Sequence, residues 1–554
     1  MELPGGLKLF AMATVPPANQ NQLKVLKIKN KKSKPVPIPE APDHRKLGIE
    51  QELFTTSIYS PGSTIFLPNG TKIFNKLTDF LRTQYDHFGF QEVITPTIYK
   101  KSLWEKSGHW ENYAEDMYSV TGRGATGETE GRQVGEDEEY GLKPMNCPGH
   151  CLIFASKQRS YRDLPIRFAD FSPLHRNEIS GALSGLTRVR RFHQDDGHIF
   201  CRPSQIREEI IKSLEFIRLT YGILGLGPYR LALSTRPKDN FIGSVEEWDN
   251  AEKALRDSLD TSGETWTVNE GDGAFYGPKI DIILKDSDGK EHQTATIQLD
   301  FQLPKRFELE YQAPAPEIEQ KGLTTEDPEL LSVQGPVTPV MIHRAVLGSV
   351  ERIMALLIEH HNGRWPFWLN PRQVKIVTVN DRPETLEFVR ETVDELQGYE
   401  PSETAGESRG LGQLGVGLSR GPRLSVDVDA SPRNLPKKIA EAKAQRYSVI
   451  VVVGDQNVRS GRLTANLTGI TGDRYNVAES KMLNNILVAD EVYKQKREAR
   501  YNGWGRDEPL GDGEYPESGV DAAPRRIEQE VLKSFPITAR TLRRALQGLQ
   551  SSYV

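Results

Sequence analysis

The chain has 554 residues, enough for several domains with sizeable cores. At 37% hydrophobic and 27% charged residues with a net charge of -5, it is not a uniformly basic nucleic-acid coat, so any nucleic-acid site has to be a local patch. Three cysteines (Cys147, Cys151 and Cys201) are too few and odd in number for a disulfide scaffold and fit a reducing compartment, and no apolar run approaches the length that crosses a bilayer.

Residues 1–46 carry nine Lys/Arg against three acidic residues, and seven prolines. This composition predicts a basic, disordered leader, read either as an organelle-targeting segment or as a solvated tail. A large mixed domain begins at Leu47. Apolar residues at Ile73, Phe74, Leu77, Phe80, Leu81 and Tyr85 follow helical spacing over 73–88, and 91–95 reads as a strand that stops before Pro96. Residues 121–142 form an acidic, Gly-rich loop.

A strand over 166–171 runs into His175-Arg176-Asn177-Glu178, and after a glycine-containing turn 188–200 reads as a second strand, antiparallel to the first. Alternation puts Arg188, Arg190, Phe192, Gln194, Asp196 and His198 on one face, with Val189 and Ile199 on the other. Such a face can bind an anion, stack a flat ring and contribute to a metal or ammonium site; a polar, solvated sheet face is the plainer alternative. Arg176 and Glu178 also share a face, and fixed arginines suit a triphosphate because a guanidinium meets phosphate oxygens bidentately.

Residues 303–339, rich in Pro, Glu and Gln, read as a break. Residues 343–361 read as a core-facing helix, with Gly348 and Ser349 leaving room for close backbone approach and Arg352 either a ligand contact or one half of an ordinary ion pair. After Pro371 the strands 374–379, 424–428 and 448–453 alternate with helices 383–396 and 435–445, which predicts a small, mostly parallel α/β domain over 371–500 with an inserted loop at 398–423. Lys437, Lys438 and Arg446 on it are candidates to meet phosphates. Residues 501–554 read as a C-terminal extension with short helices near 526–535 and 538–549.

These residues carry a resemblance. F-x-x-x-H-R-N-E followed by R-V-R-x-F-x-Q-D-D-x-H resembles motif 2 of a class II aminoacyl-tRNA synthetase, G-S-V-E-R at 348–352 resembles motif 3, and Q-E-V-I-T-P at 91–96 resembles motif 1, the dimer-forming element. L-W-E-K-S-G-H-W (103–110), K-P-M-N-C-P-G-H (143–150), G-A-F-Y-G-P-K-I (273–280) and P-V-M-I-H-R-A (339–345) together resemble threonyl-tRNA synthetases. The resemblance covers roughly 47–500. It implies an α+β catalytic domain with a mostly antiparallel sheet over 47–370, followed by a smaller α/β anticodon-binding domain.

The resemblance also implies roles. Cys147, His198 and His343, far apart in sequence and each unremarkable alone, resemble the residues that hold one Zn²⁺; three protein ligands leave an open position for the amino and hydroxyl groups of threonine. A metal that demands a hydroxyl rejects valine, which an apolar pocket rejects only weakly. Arg176 and Arg352 resemble the catalytic arginines on the ATP phosphates, with Arg188 on the same side; Phe192 stacks on adenine, and Glu178 and Gln298 line the nucleotide pocket. Gln194, Asp196 and Tyr276 contact threonine, with Lys279 nearby, while Cys151 and Cys201 are core residues. The reaction this implies needs no protein nucleophile: threonine attacks the α-phosphate of ATP·Mg²⁺, pyrophosphate leaves, and the 3′ ribose of tRNA(Thr) takes the threonyl group.

The implied protein is a homodimeric threonine–tRNA ligase of short mitochondrial type, placed in the mitochondrial matrix, with the cytoplasm as second choice and no membrane partner. It is expected to lack an N-terminal editing domain and to leave seryl-tRNA uncleared. A catalytically silent tRNA-binding paralogue is the alternative; the arginines and zinc ligands that such a protein would have lost are all present.

Overall fold

The structure, a computed structural model, describes residues 41–121, 139–239, 241–398, 423–470, 535–551 and 553. The first helix, α1 (His44–Glu50), is capped by Asp43, whose carboxylate accepts from Arg45 N at 2.8 Å. His44 is buried and pairs with Glu359 at 2.7 Å, so the segment read as a leader up to residue 46 enters the fold by residue 43. Helix α2 (Pro68–His87) starts five positions before the predicted stretch because Pro68 pre-sets the first turn; Ile73, Leu77, Phe80, Leu81 and Tyr85 form its buried stripe.

The larger, N-terminal part is built on eight strands: β1 (Gln91–Glu92), β2 (Ile166–Asp170), β3 (Asp196–Cys201), β4 (Arg230–Ser234), β5 (Trp266–Asn269), β6 (Lys279–Lys285), β7 (Glu291–Asp300) and β8 (Val340–Ala345). Their order is β5-β4-β6-β7-β8-β3-β2-β1, antiparallel except at the two edge pairs. One sheet face packs Ile297, Leu299, Ile199 and Ile342 into a large core with α2, Ile206–Leu224 and Val350–His360. The other face carries the site. Its cross-strand register places Lys279, Gln298, His343 and His198 side by side in one row, and Asp281, Thr296, Ala345, Asp196 and Asp170 in the next row on that face.

Four expectations need correction. The stretch 188–200 is not one strand: Arg191–His193 leaves the sheet to pair with Pro173–His175, and β3 starts only at Asp196. The break falls at Asp195, whose carboxylate accepts from Val346 N (2.8 Å) and Leu347 N (2.9 Å) and so pins the chain where it crosses β8. The helix expected over 343–361 is strand β8 followed by a helix from Val350; Gly348 at φ +69 makes the turn and Ser349 caps the helix by accepting from Arg352 N at 3.1 Å. The strand 91–95 shortens to β1 because Thr95 turns to donate to the Asp170 carboxylate at 2.7 Å. The break at 303–339 is ordered: Tyr311–Pro314 pairs with Gln334–Val337 around short helices.

The second core lies in the α/β domain. Strands β9 (Val374–Thr378), β10 (Val426–Asp429), β11 (Val449–Val453), β12 (Leu463–Asn466) and β13 (Phe535–Ile537) run in the order β10-β9-β11-β12-β13, the first three parallel and the rest antiparallel. Helices Pro383–Gln397 and Leu435–Ala444 match the periodic stretches. The end of the chain is part of this domain rather than an extension: β13 completes the sheet, and Leu542, Ala545, Leu546 and Leu549 of the helix Ala539–Ser551 are fully buried in its core. Loop 122–138, most of the insertion (399–422) and residues 526–534 of the expected helix 526–535 lie outside the described residues, and Phe535 belongs to β13. Among the described residues no helix is long and apolar enough to cross a membrane.

Candidate active site

Every residue singled out as a nucleotide, threonine or metal contact lines one cavity of about 390 Å³ on the open face of the sheet. Arg352 enters it from the first turn of its helix. Its guanidinium is anchored by donating to Thr187 O (3.1 Å) and Gln293 O (2.7 Å), which leaves a fixed cation facing the cavity. Burial, then the neighbouring Arg176 and Arg188, hold its pKa below the ordinary arginine value. Three guanidiniums this close, with Glu178 as the anion that binds Arg188 at 2.8 Å, form a site for a polyanion. Arg176 lies 5.0 Å from the Phe192 ring centroid, so the predicted stacking ring and phosphate cation are already neighbours. Arg188 sits in the loop between the two hairpin strands, at an isolated bridge to Ser184, rather than on a strand. Arg190 does not join it: its guanidinium donates to Glu178 O, Pro61 O and Ser180 Oγ away from the cavity.

At the other end, Tyr276 Oη donates to Gln298 Oε1 at 2.9 Å, and Asn146 Nδ2 donates to Asp196 Oδ2 at 3.2 Å. Burial pushes the Asp196 carboxyl up. Lys279 is held by Asp281 (3.0 Å) and Asp272 (3.4 Å) at the rim.

Between these ends, the ligand-type atoms of Cys147, His198 and His343 lie within 4.8 Å of one another, all three residues buried. The two histidines are direct partners across the β3–β8 ladder, with His198 Nε2 3.0 Å from His343 Nδ1. Cys147 arrives from the N-terminus of the helix Cys147–Ala155. Burial pushes the Cys147 thiol well up and the His198 imidazolium well down, so a dication is the species that would offset the charge of a thiolate here. A soft sulfur and two imidazoles are the donor set of zinc with an open position. The other nitrogen of His343 meets Asp300 Oδ2 at 2.8 Å. Cys151 and Cys201 are fully buried core residues.

The sequence reading missed the supports behind these groups. Asp300 stands two residues past Gln298 on the same strand and therefore on the same face. His150 stands one helical turn after Cys147, and its Nδ1 is 2.8 Å from His198 Nδ1. Both offsets were legible. Glu351 accepts from His193 N (2.9 Å) and pairs with its Nδ1 (2.8 Å), joining the hairpin to the Arg352 helix. Asp195, its pKa raised to about 6 by burial, accepts from Tyr85 Oη on α2 at 3.0 Å and from the two backbone amides of the turn between β8 and the Arg352 helix. In the α/β domain Lys438 is buried, its ammonium donating to Thr378 O at 2.9 Å, and cannot meet a phosphate; Arg446 donates to Asn362 O, while Lys437 is exposed.

A mostly antiparallel sheet with a hairpin arginine and a helix arginine facing one cavity defines a class II aminoacyl-tRNA synthetase core. The family model "tRNA synthetase class II core domain (G, H, P, S and T)" matches residues 130–324, and "Anticodon binding domain" matches 373–487. The chain is 50% identical over 420 residues to the Schizosaccharomyces pombe protein named probable mitochondrial threonine–tRNA ligase, covering 75% of this chain and 82% of the relative. It is 49% identical to the mitochondrial threonine–tRNA ligase of Saccharomyces cerevisiae, covering 74% and 83%. A Cryptosporidium parvum structure described as the RNA binding domain of threonyl-tRNA synthetase superposes with a TM-score of 0.64 at 43% identity, over 77% of this chain and 94% of that one. The chain belongs to the threonine–tRNA ligase family.

Proposed function

We propose that this protein activates L-threonine with ATP to threonyl-adenylate and pyrophosphate and then transfers threonine to the 3′ end of tRNA(Thr) for mitochondrial translation. The convergence of the three arginines, the aromatic Phe192 and the buried Cys147–His198–His343 trio on one cavity carries the reading. Arg176 and Arg352 hold the triphosphate, brought as its Mg²⁺ complex, and neutralise charge as the α-phosphate is attacked. Arg188 and Glu178 fix the same end, Phe192 takes the adenine face, and Gln298 lines the nucleotide pocket. Gln194, Asp196 and Tyr276 orient the amino acid, Asp196 accepting from the threonine hydroxyl. Cys147, His198 and His343 would hold one zinc per subunit, which when bound supplies a Lewis-acid centre that takes amino and hydroxyl groups and so discriminates against valine. All of this is positioning and charge neutralisation, which agrees with a site dominated by arginines.

A second copy of the chain covers the β1 edge: Ile94, 87% exposed, lies in the Q-E-V-I-T-P stretch that resembles the dimer-forming motif. The protein is mitochondrial, in keeping with both mitochondrial relatives named above, and we place it in the matrix. The silent-paralogue reading is not favoured, because the catalytic arginines and the metal-type ligands are intact and face one cavity. Amino-acid-dependent ATP–pyrophosphate exchange tests the proposal. Strong exchange with threonine, weaker with serine, none with valine or proline, and loss after zinc removal are expected. Absence of exchange with any amino acid in zinc-replete protein would refute it.

A further inference from the structure

We infer that His150 and Asp170 are positioning residues that fix the proton arrangement in which His198 can bind a metal. This rests on the zinc reading and deepens it. The helix that delivers Cys147 also delivers His150, fully buried behind His198, with ring centroids 4.7 Å apart and planes at 85°. The 2.8 Å contact between the two Nδ1 atoms can hold one proton only. Which ring owns it is decided on the far side of His150. There Nε2 is buried without a hydrogen-bond partner, and Asp170 Oδ2 lies 3.8 Å away.

Asp170 is an anion in this setting. Thr95 Oγ1 donates to its Oδ2 at 2.7 Å, Ser172 N donates to its Oδ1 at 2.7 Å, and the Lys143 ammonium lies 3.8 Å away, so the carboxylate keeps its charge although it is buried. The anion favours the proton on His150 Nε2. His150 Nδ1 then carries a lone pair and accepts from His198 Nδ1–H, which leaves His198 Nε2 bare. His343 is fixed the same way from its own side, because Nε2–H donates to Asp300 at 2.8 Å and Nδ1 is left bare. Two lone pairs then face each other across 3.0 Å beside the Cys147 sulfur, an arrangement that a cation relieves. The reverse order, with His150 donating, puts a proton on His198 Nε2. That proton would join the two histidines by an ordinary hydrogen bond and close the site.

The test uses the full-length protein, with zinc affinity from chelator competition and the absorption spectrum of the Co²⁺-substituted form. Wild type is expected to hold one zinc. His150→Ala is expected to weaken zinc about 10–100-fold and to alter the Co²⁺ bands, whereas His150→Asn, whose Oδ1 keeps an acceptor near the Nδ1 position, recovers most of the affinity. Asp170→Asn, which keeps the volume, is expected to lose about tenfold and carries the test if H150A does not fold. A zinc-loaded wild type with H150A, or with D170N where H150A does not fold, within about threefold of it would overturn the inference alone. A wild type that takes up no zinc would overturn the metal reading and this inference with it.

Discussion

Replacing Gly348 with alanine puts a methyl group 2.4 Å from the carbonyl oxygen of Thr294 and 3.1 Å from its carbon, both backbone atoms of the central strand β7. The backbone there is at φ +69, where a side chain is itself strained. The left-handed conformation costs roughly 1–2 kcal/mol for an L residue, and an overpacked contact that cannot yield costs about 1–3 kcal/mol more. Together these amount to about 2–5 kcal/mol, which in a unit of this size lowers the melting midpoint by roughly 3–7 °C. The strain is relieved by moving the turn away from β7, and the turn carries Ser349 and, three residues on, Arg352, whose guanidinium is anchored to Thr187 and Gln293. Gly348→Ala is therefore expected to raise KM for ATP in pyrophosphate exchange more than KM for threonine, whose proposed contacts Gln194, Asp196 and Tyr276 do not lie on this turn. A variant that melts within about 1 °C of wild type with an unchanged KM for ATP would refute the argument from close approach.

Arg352→Lys keeps the charge but loses the two-carbonyl anchor and the planar fork, so exchange should fall about 100-fold with the fold intact by circular dichroism; near-normal exchange would remove the arginine geometry from the account. Leu542→Ala empties a fully buried position in the α/β core and should destabilise that domain by about 2–5 kcal/mol in a denaturant titration, leaving exchange largely intact while tRNA charging falls. No loss of stability would return the C-terminal helix to the status of an appendage. Lys76 on α2 donates to Asn370 O at 3.3 Å and is lowered to about 7 by burial and by the like charge of Lys72. Its unfolded pKa is about 10.4, so the unfolded chain binds more protons between about pH 7 and 10 and stability rises with pH across that window. Lys76→Met should therefore be more stable than wild type below about pH 7, with the advantage fading toward pH 10; an advantage independent of pH would assign it to packing alone.

The sequence by itself determined the elements whose signal is local. The α2 stripe and the alternation of strands and helices after Pro371 rest on periodicities within a few turns or strand residues, and these hold in the structure. The roles of the two histidines and of the arginines were legible only through the resemblance, because neither His198 nor His343 stands at local ligand spacing. Tertiary structure alone decided register and breaks. Nothing within the run V-M-I-H-R-A-V-L separates a buried strand from a buried helix; His343 became a strand residue because β3 and β7 flank it and Gly348 ends the run. Asp195 split the expected long strand because its carboxylate found two amides 151 and 152 residues away. Phe535–Ile537 became the last strand of a sheet begun at Val374 because an open edge at Leu463–Asn466 was there to receive it. The metal-type cluster is the clearest case. His198 and His343 become neighbours only through the pairing of two strands whose alignment is set by burial on their opposite face, a constraint written across the whole domain rather than in either segment.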